Sequence, residues 1–200
     1  IDQAITLVKD SQNLLPLSPD KFRRVYLNVI DRNASPDTRL VKKWVELFEK
    51  EGFEVTVRDR SVGLEVQNMA GEDLTPAKAE LLDELFRPTG NFKDKRDLYV
   101  YIANVETASN NTTCRLDWNV IFGMGDDIPW FVKECPTMFI SVQNPYHLFD
   151  APMVKTFINA YANDDVTCET TMEKILGRSQ FKGKNPVDPF CGREYLKWDM

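Results

Sequence analysis

Histidine is nearly missing from this chain: His147 is the only one in 200 residues. Any imidazole proton relay built on this chain must therefore use that single ring. Cys114, Cys135, Cys168 and Cys191 stand far apart with no C-x-x-C pair. That spacing excludes the close-set zinc and redox motifs and predicts free thiols in a reducing compartment, which favours the cytoplasm. No metal site and no cofactor is expected. No apolar run approaches 18 residues, so no membrane-spanning helix is predicted. The basic residues are scattered under a net charge of −6, without the positive stripe that tracks phosphates, and nucleic acid is not an expected partner. Gly-x-Ser-x-Gly is absent, and with it the serine nucleophile turn. Gly123-Met124-Gly125 lacks the third glycine of a dinucleotide fingerprint and reads as loop.

What the chain does have is alternation of strands and helices. Ile1, Ala4, Ile5 and Val8 form an i, i+3, i+4, i+7 stripe, which predicts a helix already under way and a longer parent polypeptide. Arg24 to Ile30 is apolar on both faces, as a strand covered on both sides should be. Ser35-Pro36-Asp37 offers an N-cap, a helix-compatible proline and an acidic first turn, followed by the face of Leu40, Val41, Trp44, Val45 and Phe48 up to Gly52. Phe53 to Val57 then alternates as a half-exposed strand, completing a βαβ unit with a right-handed crossover.

Thr75-Pro76 restarts a helix through Ala79, Leu82, Leu85 and Phe86, and Leu98 to Val105 is the most apolar strand. Asp126 or Asp127 caps a short helix through Phe131 and Val132. Thr137 to Val142 and Phe157 to Tyr161 are further strands, and Asp165 caps a last helix that Gly177 stops. The tail with Pro186 and Pro189 should run extended over the surface. Together these predict one α/β domain over residues 1–200: a doubly wound, mostly parallel sheet of five to six strands with helices on both faces, a flavodoxin- or Rossmann-like three-layer sandwich. Trp44 and Trp130 read as core rather than sugar platforms, Trp118 as either, and Trp198 as docked against a further domain or mobile.

Open parallel sheets bind ligands outside the carboxyl ends of their strands. Those ends carry Asp31, Arg32 and Asn33; Glu106, Thr107, Ser109 and Asn110; Gln143, Asn144, Tyr146 and His147; and Asn163, Asp164 and Asp165. Carboxylates, amides and an aromatic ring suit a hydroxyl-rich sugar, although the same residues are also ordinary turn and cap residues. For His147, packing beneath the Asn144-Pro145 turn is the preferred reading.

The two ends of the chain carry a resemblance. Near the start stands Ala4-Ile5-Thr6-Leu7-Val8-Lys9-Asp10, leading to Asn13-Leu14-Leu15-Pro16-Leu17. Near the finish stand Leu176-Gly177 and Phe181-Lys182-Gly183-Lys184-Asn185-Pro186-Val187. This pair resembles the bookends of the C-terminal α/β domain of glycoside hydrolase family 3. Arg115-Leu116-Asp117-Trp118, Ile128-Pro129-Trp130, Asn144-Pro145-Tyr146-His147-Leu148 and Pro186-Val187-Asp188-Pro189-Phe190-Cys191-Gly192 are similar to strings of its bacterial two-domain β-N-acetylhexosaminidase branch.

The resemblance implies an N-terminal (β/α) barrel of the same polypeptide as partner and a carbohydrate substrate cleaved with retention. It also implies a nucleophilic Asp on that barrel, whose K-H-F-P-G string is absent from these residues. In the β-glucosidase branch the second domain supplies a Glu as acid/base, which makes Glu106 the catalytic candidate, with Asn110, Asn144, Tyr146 and His147 as candidates for the pocket rim. In the hexosaminidase branch, the favoured one, the second domain is a support. The alternative is a freestanding flavodoxin-like module holding a small ligand or protein at the same strand ends. A receiver domain is disfavoured, because Asn104-Val105-Glu106 supplies no phosphorylatable Asp.

Overall fold

The computed structural model describes residues 1–31, 37–59, 68, 75–76, 78–79, 96–106, 115–116, 118, 120–121, 124–125, 128–197 and 200. Its strands are β1 (Thr6–Asp10), β2 (Arg24–Asp31), β3 (Glu54–Val57), β4 (Leu98–Asn104), β5 (Val120–Ile121), β6 (Met124–Gly125), β7 (Thr137–Ser141) and β8 (Thr156–Asn159). Two α-helices lie wholly within the described residues, α1 (Thr38–Lys50) and α2 (Asp165–Ile175). Six strands form one sheet in the order β1-β8-β7-β4-β2-β3, while β5 and β6 make a separate antiparallel pair. Within the main sheet every pairing is parallel except that of β1 with β8. With the antiparallel edge strand set aside, this is the flavodoxin-like order, in which the chain leaves β2 for β3 on one side and returns to β4 on the other.

The two-sided strands predicted from the sequence divide the core by chemistry. Val25, Leu27 and Val29 of β2, Leu98, Val100 and Ile102 of β4, and Met138 and Ile140 of β7 form an aliphatic face, packed against Leu40, Trp44 and Phe48 of α1 and Cys168, Met172 and Ile175 of α2. The alternate residues Tyr26, Tyr99, Tyr101, Phe139 and Phe157 form an aromatic face. Because Tyr101, Phe139 and Phe157 are register partners across three strands, their rings stack: centroids lie 5.9 and 5.1 Å apart with planes within 5° and 7° of parallel. Both α1 and α2 lie on the aliphatic side. Among the described residues the aromatic side is covered by the turns at 128–135 and 147–154 and by Phe190 of the tail, while most of the crossover from β3 to β4, where the sequence places a further helix, lies outside the described residues. A helical onset at Thr75-Pro76 is present, with Thr75 Oγ1 accepting from Lys78 N at 3.2 Å; the rest of that expected helix lies outside the described residues.

Several local expectations are corrected. The opening stripe is not a helix: Ile1 and Ala4 are exposed, Ile5 joins the aliphatic face, and Val8 packs on the aromatic one. Pairing with β8 overrides a period supported by only four residues, and a register shift between Leu7 and Lys9 completes its disguise. The cap of α1 is Asp37, whose carboxylate accepts from Arg39 N and Leu40 N at 2.9 and 3.3 Å. The cap of α2 is Asp164, bonded by Thr167 N at 3.0 Å, with Asp165 in the first turn instead. No helix follows residue 128 into β7; a single turn buries Phe131 and Val132, which leaves Trp130 outside at 64% exposure, whereas Trp44 is fully buried.

Candidate functional site at the strand ends

The C-terminal ends of the parallel strands bring four polar side chains together at the switch point between β2 and β4. Asp31 and Asn104 close these strands as register partners, and the Asn104 Nδ2 donates to Asp31 Oδ2 at 2.8 Å. The other side of the same amide, Asn104 Oδ1, accepts from Gln143 Nε2 at 3.2 Å and Asn163 Nδ2 at 3.0 Å. A carboxylate only accepts, so Asp31 fixes which way the Asn104 amide faces, and Asn104 in turn orients its two neighbours. Asp31 also accepts from Asp37 N at 3.2 Å, tying the start of α1 to the cluster. Sequence reasoning named Asp31, Gln143 and Asn163 among the strand ends and missed Asn104 as their hub. The available signal was its place as the first amide after six residues without a charge at the end of the most apolar strand.

A second closed network lies one strand over. The side chain of Asn144 donates to Val105 O at 2.6 Å and meets His147 Nε2 at 2.8 Å, while its oxygen accepts from Tyr146 N at 3.0 Å. Ser141 Oγ donates to Asn144 O at 2.5 Å and lies 2.8 Å from His147 Nδ1. With the single serine proton and both amide protons already committed, donor counting places the ring proton on Nδ1 and an acceptor lone pair on Nε2. His147 is fully buried by this arrangement, and Asn144 is nearly so.

The rim candidates therefore separate. Tyr146 is exposed at the strand ends, with Asn144 and His147 beneath it, and Glu106 is exposed one residue past the carbonyl that Asn144 holds. Asn110 lies outside the described residues, as do Arg32, Asn33, Thr107 and Ser109. Asp150, whose side chain is almost entirely buried, accepts from Leu116 N at 3.1 Å and pairs with the Arg115 guanidinium, which sits 4.8 Å over the Phe149 ring. Burial raises the Asp150 carboxyl, opposed by the Arg115 and Leu116 hydrogen bonds. The tail reaches this end of the sheet at β8, where Asn159 Nδ2 donates to Asn185 Oδ1 at 3.2 Å. Among the described cysteines, Cys168 is buried and its thiol is pushed up to about 12 by desolvation, the state of an inert packing group.

No family model matches the chain. The fold is shared with a glycoside hydrolase family 3 beta-N-acetylglucosaminidase from Paenibacillus sp., at a TM-score of 0.55 and 17% identity over 94% of this chain and 31% of that one. A curated relative from Cellulomonas fimi, a beta-N-acetylglucosaminidase/beta-glucosidase, is 34% identical over 201 residues, covering 98% of this chain and 31% of the relative. The solved beta-glucoside phosphorylase BglX superposes at a TM-score of 0.72 with 40% identity, over 99% of this chain and 31% of that one. The chain belongs to glycoside hydrolase family 3, as its C-terminal α/β domain. This family 3 domain spans 31% of the length of the relatives it matches. Arg115 and Leu116, which open the first of its internal strings, meet Phe149 and Asp150, which directly follow the string 144–148.

Proposed function

We propose that this family 3 domain is the accessory C-terminal domain of a retaining β-glycosidase acting on β-N-acetylglucosaminides or β-glucosides. Its partner is a catalytic (β/α) barrel of the same polypeptide, which supplies the nucleophilic Asp. The domain packs on that barrel by the C-terminal strand ends and lends them to the rim of the sugar pocket. The observation carrying this reading is the grouping of Glu106 and Tyr146, both exposed, beside the Asp31–Asn104–Gln143–Asn163 cluster at one end of the sheet. Tyr146 offers a ring face to a sugar, and Glu106 a carboxyl group able to protonate a leaving oxygen if it reaches the scissile bond.

A second reading is favoured by the 40% identity to a beta-glucoside phosphorylase. In it the glycosyl group leaves for inorganic phosphate rather than water, giving a sugar 1-phosphate. The same experiment tests both. The full-length protein is assayed on aryl β-glucosides and β-N-acetylglucosaminides with and without phosphate, beside Glu106→Gln. Release of free sugar alone supports hydrolysis, and sugar 1-phosphate supports the second reading. A loss of about 10²-fold or more in kcat for Glu106→Gln, restored by a small added anion, assigns the acid/base to Glu106. A near-native rate leaves this domain as scaffold, and no turnover on any β-glycoside sinks the proposal.

A further inference from the structure

We propose that the turn at residues 144–150 is the positioning element of the rim, holding the Val105 carbonyl on one side and Arg115 and Leu116 on the other and fixing Glu106 and Tyr146 as one unit. This rests on the pocket-rim reading above.

One amide side chain links the two exposed residues. Asn144 Nδ2 binds Val105 O at 2.6 Å, the carbonyl of the peptide that leads into Glu106, while Asn144 Oδ1 takes Tyr146 N at 3.0 Å. A displacement of either backbone must break one of these bonds. Asn144 is itself held from below, by His147 Nε2 at 2.8 Å and through its own carbonyl by Ser141 Oγ. The network belongs to the rigid end of β7, because Ser141 is its last residue.

The same turn also holds Arg115 and Leu116. Asp150 accepts Leu116 N at 3.1 Å and binds the Arg115 side chain, and Phe149 lies under the Arg115 guanidinium at 4.8 Å. Arg115 is mostly exposed while the Asp150 side chain is 3% exposed, so the buried partner is the fixed anchor and the exposed one is brought to it. A buried carboxylate is an expensive way to stabilise a fold, since an apolar residue there would avoid the desolvation cost. Its use here is geometric: two directed bonds set where Arg115 and Leu116 lie. Asn144 and Asp150 are thus positioning residues, acting on the pocket through Glu106 and Tyr146. Misplacement by about 1 Å in such a site is enough to cost on the order of 10²-fold in rate.

The test uses the full-length protein with Asp150→Asn, which keeps the side-chain volume and removes the charge that Arg115 needs, and with Arg115→Gln as a second variant at an exposed position. Hydrogen exchange is followed for peptides covering 103–116 and 143–150. Expected is exchange accelerated at least about tenfold there in both variants, unchanged in β2 and β4, with a fall in kcat/KM of about tenfold. That fall should be larger for alkyl than for dinitrophenyl leaving groups if Glu106 protonates the departing oxygen. A uniform rise in exchange across the domain would mark a general structural role and overturn the proposal, and so would native exchange at 103–116 in both variants. Faster local exchange with native turnover would overturn the link to the pocket. Native turnover in both Glu106→Gln and Tyr146→Ala would instead remove the rim reading itself, whatever the exchange shows.

Discussion

Pro16 and Gly177 lie against each other so closely that a Cβ placed on Gly177 would stand 2.9 Å from Pro16 Cβ and 3.3 Å from its Cγ. Next to this contact Leu17 N donates to Ile175 O at 2.9 Å. The two distant strings that carry the family resemblance are therefore one junction, where the segment after β1 closes on the end of α2.

Gly177 also lies in the left-handed region at φ +74°, and so does Gly192 at +78°, but Gly192 has nothing within 4 Å of an added Cβ. Gly192→Ala should cost about 1–2 kcal/mol, the left-handed backbone penalty alone. Gly177→Ala should cost about 2–4 kcal/mol, because overpacking against Pro16 adds to it. Urea denaturation of the two variants makes the comparison, and equal losses would mean that the junction yields.

The aromatic ladder gives a second expectation. Phe139 stacks between Tyr101 and Phe157 and is fully buried, so Phe139→Ala should cost about 3–5 kcal/mol. A double-mutant cycle of Phe139→Leu with Phe157→Leu should return a coupling of about 0.5–1.5 kcal/mol beyond their separate losses. Additive losses would show that the rings contribute burial without specific stacking.

The ladder also shows what was legible in advance. Residues 24–30, 98–105 and 137–142 are apolar on both faces, and two-sided burial follows from that pattern whatever the neighbours. The β1 segment was not legible, because its partner β8 lies almost 150 residues away and its register shift breaks the period of two. Cap positions moved by one or two residues because adjacent acidic residues, such as Asp164 and Asp165, compete and only backbone geometry selects between them. Trp130 read as core for want of knowing that the turn already spends its inner face on Phe131, which rests 4.5 Å from the Tyr99 ring. At the site, residue types at strand ends could be named, but not which were rim and which support. His147 and Tyr146 are neighbours in sequence, one fully buried and the other exposed, and only the Asn144 network explains the division.

Two carboxylates should respond to pH in opposite senses. The Arg24 guanidinium, aided by the Arg24 backbone N–H at 2.8 Å, holds Asp97 below the usual carboxylate range despite its partial burial. A lowered folded-state pKa contributes stability above the unfolded value of about 3.9, lost as pH falls through the folded value. Asp97→Asn should therefore lower stability at neutral pH and flatten the acid limb of the curve. Asp150 is raised, mainly by burial, so its contribution is present below about pH 3.9 and lost as pH rises through its folded value. Asp150→Asn should remove that loss, so that its stability relative to wild type improves on going from pH 3 to pH 7. Parallel pH–stability curves for the two variants would contradict both assignments.

The last prediction concerns a buried ammonium. Lys174 on α2 has a fully buried side chain, and its three N–H donors match three acceptors: Asp2 Oδ1 at 2.7 Å, Ser179 Oγ at 3.2 Å and Gln180 O at 2.6 Å. This joins the first residues of the chain to the segment following α2. The two partners are not equivalent, since the Asp2 side chain is about half exposed and can return to water. Lys174→Met removes the buried charge and fills its volume with an apolar stem, leaving chiefly the Gln180 carbonyl unmet. Asp2→Ala removes the carboxylate bonded to that ammonium and leaves the charge buried, which is the costlier change. Asp2→Ala should therefore be the less stable variant by chemical denaturation, although the residue it alters is the more exposed. The reverse order would mean that Ser179 and the Gln180 carbonyl alone are enough to solvate the ammonium, and that Asp2 only decorates the surface.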